Sequence, residues 1–362
     1  MKEPTRYILP SESKELTPIE YAKAVLVCEY IEKLIKNREE YICKNNLDSN
    51  IHNPMANWDS STGHFKGYYA VATKSSDNFK MLRLFTQVFT GHYMGLKLVE
   101  QGMPPIAVVI PDDFDQHVLN MLEEIASLEM PIFWIRYYFK LIEFYPQFKD
   151  LTFPIAYGES GFLYDNILVN HDLYVYLERI GLMEVSGVLE EIKGHKSTIV
   201  EIGSGFGGLA YLMKKIVPNS TYICVDLPES LSFAALYLSR FYDNICFVDE
   251  TTNLEEIGKY ELVFIANYMF DSLVQSGLKI DLAINTLSMS EMTSEQIRHY
   301  CQGISTMIGK MGAFFEQNQD NRHIGFTFAN EIVKENFKVE KRLVFRKEVG
   351  MTQGVATLWT NS

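Results

Sequence analysis

The stretch Thr198-Ile-Val-Glu-Ile-Gly-Ser-Gly-Phe-Gly-Gly208 constrains this chain more than any other, because a β-branched apolar run gives way to glycines directly after a carboxylate. Ile199, Val200 and Ile202 read as a buried parallel strand, and Gly208-Leu-Ala-Tyr-Leu-Met-Lys-Lys215 reads as the opening of a helix. Between them, Gly203, Gly205 and Gly207 let the backbone approach a ligand closely. A second apolar strand, Thr221-Tyr-Ile-Cys-Val-Asp226, ends on an acid 18 positions after Gly208. That offset is close to the roughly 20 residues at which an acid at a strand tip holds the ribose hydroxyls of a bound nucleoside.

Gly203, Gly205 and Gly208 also satisfy G-x-G-x-x-G, so the turn alone does not separate a nicotinamide dinucleotide from another adenosine cofactor. Glu201, two residues before the first glycine, is placed to meet a cationic ammonium group, and the chain ends in an apparent strand pair. This combination resembles the class I S-adenosylmethionine-dependent methyltransferases, whose first motif reads E/D-x-G-x-G-x-G.

Charge narrows the partners. The net charge of −13 opposes a polyanionic ligand, and no run of basic residues exceeds two, so no nucleic-acid partner is expected. The five cysteines (Cys28, Cys43, Cys224, Cys246, Cys301) are odd in number and widely spaced, which reads as reduced core residues of a cytoplasmic protein. No apolar run approaches the about 20 residues of a membrane span, and the amino terminus lacks a signal-peptide pattern.

Thr17-Pro-Ile-Glu20 has the form of a capping box, and helical spacing of apolar residues carries a helix to about Cys43. Residues 45–77 read as a long loop carrying Trp58, His64, Tyr68 and Tyr69. Helical periodicity returns from Phe79 to about Glu100, a short extended run covers Pro105 to Pro111, and further helices fall between Phe114 and Tyr145. Tyr157 to Asn166 reads as a loop, and Asn170-His-Asp172 as the cap of a helix over Leu173–Glu190.

From residue 197 onward, strands and helices alternate, as in a mostly parallel sheet covered on both faces. Phe337–Phe345 and Gly354–Trp359 close it as an antiparallel hairpin. The expected architecture is α/β: a Rossmann-like class I methyltransferase sheet in residues 156–362 behind a mainly α-helical amino-terminal domain in residues 1–155, which would serve substrate recognition or dimerisation. Apolar residues on the amino-terminal helices leave a homodimer open, beside ordinary packing on their own domain.

The segment Asp281-Leu-Ala-Ile-Asn-Thr-Leu-Ser-Met-Ser-Glu-Met292, taken with the glycine motif and Val225-Asp-Leu-Pro-Glu229, resembles the sugar O-methyltransferase family of bacterial surface-polysaccharide gene clusters over roughly residues 155–320. Its Asn-Thr-x-Ser-x-x-Glu-Met pattern is the more distinctive part. The resemblance implies S-adenosyl-L-methionine as cofactor and a small sugar or glycan hydroxyl as acceptor. It places Gly203, Ser204, Gly205 and Gly207 along the methionine part, Glu201 by the amino group, Asp226 and Leu227 at the ribose, Asp249 (with Glu250 as alternative) at the adenine amino group, and Asn285 and Thr286 beside the methionine.

A sugar hydroxyl is weakly acidic, so its methylation gains from a general base. Glu291 is the first candidate, its alternative reading being a helix-terminal carboxylate before Thr293. His171 and His323 come next, then Asp271, and the segment from Tyr157 to Asn166 offers Glu159, Tyr157 and Tyr164 to a sugar ring. Asp112-Asp113-x-Asp115 is the one compact acidic group and reads as a helix start; no pair of histidines or cysteines has ligand spacing, so no metal is expected. Methylation of another small molecule, or a non-catalytic cofactor-binding subunit, remains as an alternative reading.

Overall fold

The structure, a computed structural model, describes residues 6–8, 12, 14–54, 76, 79, 82, 83, 86, 133–345 and 354–362. The greater part of the 45–77 loop with its aromatic residues, the 79–100 helix apart from a few positions, the 105–111 run and the 112–115 acidic group lie outside the described residues. Instead of parting at a single cut, the chain packs as two discontinuous units, one of Met1–Cys28, Ala56–Arg179 and Arg346–Gly350, the other of Glu29–Met55, Ile180–Phe345 and Met351–Ser362.

Helix α1 (Pro18–Lys44) begins at the expected box, where Thr17 N donates to Glu20 Oε2 at 2.7 Å and Glu20 N to Thr17 Oγ1 at 3.2 Å. Its residues up to Cys28 belong to the first unit; the remainder, with the short α2 (Ser49–His52), belongs to the second.

In the first unit, β1 (Arg6–Ile8), β2 (Gly161–Tyr164) and β3 (Ile167–Val169) form an antiparallel sheet in that order, accompanied by α3 (Phe133–Phe144). The expected loop at 157–166 is therefore half strand. Phe162 and Tyr164 favour extended backbone, and Asp165 tolerates the φ of +53° that closes the hairpin. Helix α4 (His171–Ser186) is capped by Asn170, whose Oδ1 accepts from Leu173 N at 2.9 Å. It ends earlier than its apolar pattern implies because Gly187 takes φ +90°, after which α5 (Val188–Lys193) starts afresh.

The second unit is built on β4 (Ser197–Ile202), α6 (Gly208–Ile216), β5 (Ser220–Asp226), α7 (Pro228–Leu238), β6 (Ile245–Phe247), β7 (Leu262–Ala266), α8 (Phe270–Gln275), β8 (Leu282–Thr286), α9 (Ser294–Ile308), β9 (Ala313–Asn318), α10 (Ala329–Val333), β10 (Val339–Leu343) and β11 (Val355–Thr360). The strands run in the order β10-β11-β9-β8-β4-β5-β7-β6. All pairings among β4 to β9 are parallel, and β11 is antiparallel to both β9 and β10. This is the expected Rossmann-like, mostly parallel α/β sheet, closed by its antiparallel hairpin. The strands at its centre are buried because helices cover both faces: β7 and β8 are buried at every residue, as is α7.

One feature of the order was not apparent from strand spacing. Tyr222 to Asp226 of β5 pair with Leu262 to Ala266 of β7, and β6 is displaced to the edge. The strand beside Asp226 thus leads into Asn267, and the strand ending toward Asp249 stands one place further out. No described helix is long and apolar enough to cross a membrane. None of the five cysteines is in a disulfide, and Cys43 is exposed where a core position was expected, since it falls on the outer face of α1's last turn.

Candidate active site

Strand order reverses at β4, which has β5 on one side and β8 on the other, so a crevice opens beyond the carboxyl ends of β4 and β8. The glycine turn lies there. Gly203 has φ +80° and donates its N–H to Val225 O at 2.8 Å, and a side chain on it would overlap Ser288. Gly207, with φ +83°, begins α6, and a Cβ there would stand 2.8 Å from Leu238. Gly205 differs: at φ +53° a Cβ would meet nothing within 4 Å. Packing explains two of the glycines, and open space over the backbone explains the third.

Asp226 at the tip of β5 faces this turn. Its Oδ2 accepts from Gly205 N at 3.1 Å and from Ser204 Oγ at 3.3 Å, and its Oδ1 from Leu227 N at 2.8 Å. Burial outweighs these three donors and raises its pKa to about 7. Glu201 is buried in β4, where the Tyr222 hydroxyl donates to it at 2.9 Å.

The Asn285–Met292 motif proves to be a brace. Asn285 Nδ2 donates to Ile202 O at 2.8 Å and to Ser288 Oγ at 2.5 Å, Ser288 Oγ donates to the same carbonyl at 3.1 Å, and Asn318 Nδ2 donates to Asn285 Oδ1 at 3.0 Å. The carbonyl immediately before the first glycine is thereby held from β8, and β8 in turn from β9. Leu287 takes φ +67°, unusual for a branched residue, to start the turn Ser288–Glu291. Asn285 is fully buried and Thr286 nearly so. Glu291 ends the turn exposed. It does not cap the following helix, because Thr293 and Gln296 do so with a reciprocal capping box. His323 is also exposed, in the loop after β9, which is tied to the Glu291 turn by Asn321 Nδ2 donating to Ser290 O at 3.2 Å.

Other expected residues have different surroundings. Asp249 accepts from Thr251 Oγ1 at 2.7 Å and Lys33 Nζ at 3.0 Å, bonds that hold its carboxyl down at about 2; Glu250 pairs with Lys44 at 2.7 Å. His171 opens α4 in the first unit, half-buried, its Nδ1 3.8 Å from Asp172 Oδ1. Tyr157, Glu159 and Tyr164 are buried in that unit, and Glu159 is engaged by Arg83, so none of the three presents itself as an exposed sugar contact.

The structure adds four residues that spacing did not reveal. Asn267, just past β7, is buried; its Nδ2 donates to His52 O at 2.7 Å, and its Oδ1 has no hydrogen-bond partner among the described residues. His52 and His299 both face Asp271, Nε2 to carboxylate oxygen at 3.6 Å and 2.8 Å. Burial lowers the His52 pKa; for Asp271, burial pushes upward but His299 and His52 prevail and hold it below its usual value. Tyr300 is buried within electrostatic reach of both Asp226 and Asp271, so this group neighbours the acid at the tip of β5.

The sequence matches no protein-family model and none of the curated proteins. Solved structures similar to it are methyltransferases. One is an O-methyltransferase family protein from Burkholderia thailandensis, 13% identical, with 52% of this chain and 60% of that one covered and a TM-score of 0.35. A second is the N-methyltransferase NodS from Bradyrhizobium japonicum in complex with S-adenosyl-l-homocysteine, 14% identical over 50% of this chain and 85% of that one, TM-score 0.33. A third is human N-acetylserotonin methyltransferase in complex with SAM, 14% identical over 52% and 55%, TM-score 0.32. The chain thus spans less than two thirds of the length of the first and third of these proteins.

Proposed function

We propose that this chain is an S-adenosylmethionine-dependent O-methyltransferase acting on a sugar hydroxyl, in a nucleotide sugar or surface-polysaccharide precursor. The observation that carries the cofactor assignment is Asp226 facing a glycine turn with open space over Gly205. A carboxylate has about four acceptor positions. Three of those on Asp226 are engaged, which leaves one for a ribose hydroxyl and a second once the long 3.3 Å bond to Ser204 gives way. Asn267 Oδ1, buried and without a hydrogen-bond partner among the described residues, suits the adenine amino group better than Asp249, which is committed to Lys33. Glu201 supplies fixed negative charge behind Gly203 for the ammonium group, while Ser204 and Gly207 line the methionine side. Asn285, through Ile202 O and Ser288, acts by holding the turn in shape, and Thr286 continues that edge.

When bound, the cofactor supplies an electrophilic methyl group on a sulfonium. The protein aligns the acceptor oxygen with it and removes the hydroxyl proton as the bond forms. Glu291, exposed on the turn past β8 and beside the switch point, takes that proton; His323 on the adjoining loop is the second candidate, and His171 belongs to the other unit. The resemblance of the Asn285–Met292 motif to the sugar O-methyltransferase family supports an acceptor of the sugar class.

The test is S-adenosylhomocysteine release with a panel of nucleotide sugars, run beside non-sugar hydroxyls and amines. Turnover is expected with a sugar, and Glu291→Gln should lower kcat by about 10²–10⁴-fold with unchanged cofactor affinity. Turnover confined to amines would refute the sugar reading, and an unimpaired Glu291→Gln would remove that residue from the base role.

A further inference from the structure

His52, Asp271 and His299 reach one point from three segments far apart in sequence: the last residue of α2, the first turn of α8 and the second turn of α9. One donor atom of each lies within 4.8 Å of the other two, and the imidazole rings stand edge to face with centroids 5.0 Å apart. The backbone beneath them is held independently of these side chains. Gln296 Nε2 donates to Ile51 O at 3.1 Å, and Asn267 Nδ2 donates to His52 O at 2.7 Å, so α2 is clamped to α9 and to the tip of β7.

A metal-free relay of His, Asp and His would require both imidazoles within hydrogen-bond reach of the carboxylate. His299 Nε2 comes within 2.8 Å but not in the geometry of a hydrogen bond, and His52 Nε2 remains at 3.6 Å, beyond one. Nitrogen and oxygen donors about 2.0–2.2 Å from a tetrahedral ion stand roughly 3.4 Å from each other; His52 Nε2 stands 3.6 Å from Asp271 Oδ2, close to that value, and His299 Nε2 2.8 Å from the other carboxylate oxygen, Oδ1. Two imidazoles and one carboxylate are also a donor set suited to zinc and iron in the divalent state.

We infer that His52, Asp271 and His299 form a binding site for a divalent transition-metal ion, with three protein ligands and at least one coordination position open to water or to an oxygen of a small ligand. Local ligand spacing excluded a metal, and the site became visible only because folding joins residues separated by more than 200 positions. The proposed methyl transfer uses none of the three residues, and Asp271, the last of the base candidates read from the sequence, is engaged here instead.

The test is cobalt titration of full-length protein stripped with chelator. One equivalent of Co²⁺ should bind with a visible ligand-field spectrum, be displaced by Zn²⁺, and give two paramagnetically shifted imidazole N–H resonances. Zn²⁺ should raise Tm in the wild type, and this shift should vanish in His52→Gln and His299→Gln, whose retained S-adenosylhomocysteine binding reports on folding. Absence of stoichiometric Co²⁺ binding by the wild type would overturn the site, as would undiminished binding by both folded variants. Should a variant fail to fold, the wild-type resonances decide: fewer than two shifted imidazoles contradicts the ligand set.

Discussion

The Arg83 cluster of the first unit and the carboxyl edge of the second unit both bury charge, yet they are arranged on opposite principles. Arg83 is fully enclosed: Nε donates to Glu159 at 2.6 Å, one terminal nitrogen to Asp172 at 2.8 Å and the other to Thr86 at 2.5 Å, and Asn170 adds a bond to Glu159 at 2.6 Å. Every charge there meets a partner from the same unit. At the carboxyl edge, Asp226 keeps a proton to about pH 7, Asn267 Oδ1 is left without a partner among the described residues, and His52 falls short of Asp271. Saturated polar groups stabilise a fold, whereas groups with remaining capacity are set for a ligand.

The largest expected break in this contrast comes from Arg83→Met. Removing one partner of a buried ion pair leaves uncompensated carboxylates and costs roughly 3–5 kcal/mol. Thermal melts should show a large fall in Tm; a fall no greater than that of a surface substitution would mean that the cluster contributes little.

Gly203→Ala should follow. Overlap with Ser288 costs about 1–3 kcal/mol, with about 1 kcal/mol more for a left-handed φ. Ser288→Gly in the same chain should restore part of the loss, a non-additivity that a double-mutant cycle would measure. Gly205→Ala, with free space around it, should cost only the backbone strain while weakening cofactor binding.

Much of this was legible in the chain itself. The glycine turn, the strand alternation, the terminal hairpin and the two caps at Thr17 and Asn170 each follow from local chemistry, and each is where local chemistry places it. What escaped was lateral order. Strand spacing cannot say that β7 inserts between β5 and β6, because parallel neighbours are chosen by crossover connections and not by adjacency in sequence. That single fact moves Asp249 outward and brings Asn267 beside Asp226. The His52–Asp271–His299 group escaped for a related reason: each histidine is ordinary in its own segment, and only α2 docking on α9 joins them.

A smaller effect is expected at Glu316, buried in β9 and hydrogen-bonded by Asn318 Nδ2 at 2.8 Å and Asn330 Nδ2 at 2.7 Å. Burial raises its pKa from the usual 4.5 to about 6, against the pull of these donors. A carboxyl with a raised folded pKa contributes stability that is complete below pH 4.5 and is lost as pH rises through about 6, here on the order of 2 kcal/mol. Denaturant titrations of the wild type and Glu316→Gln across that window should differ in slope with pH; parallel curves would mean that Glu316 is ionised freely.

The smallest predicted effect is on pH and ligand affinity together. If ionised Asp226 accepts the ribose hydroxyls, affinity for S-adenosylhomocysteine should rise by about tenfold per pH unit below 7 and level off above it. A flat profile from pH 5.5 to 8 would mean that the carboxylate is not the group that ligand binding requires.

The central claim, that the carboxyl edge of the second unit is an S-adenosylmethionine site, is tested most directly by calorimetric titration of S-adenosylhomocysteine into the wild type and into Asp226→Ala. Saturable binding at one site per chain, weakened at least about thirtyfold in a folded Asp226→Ala through loss of charge-assisted hydrogen bonds, is the predicted result. No heat of binding to folded wild type, or equal affinity in the two proteins, would contradict it.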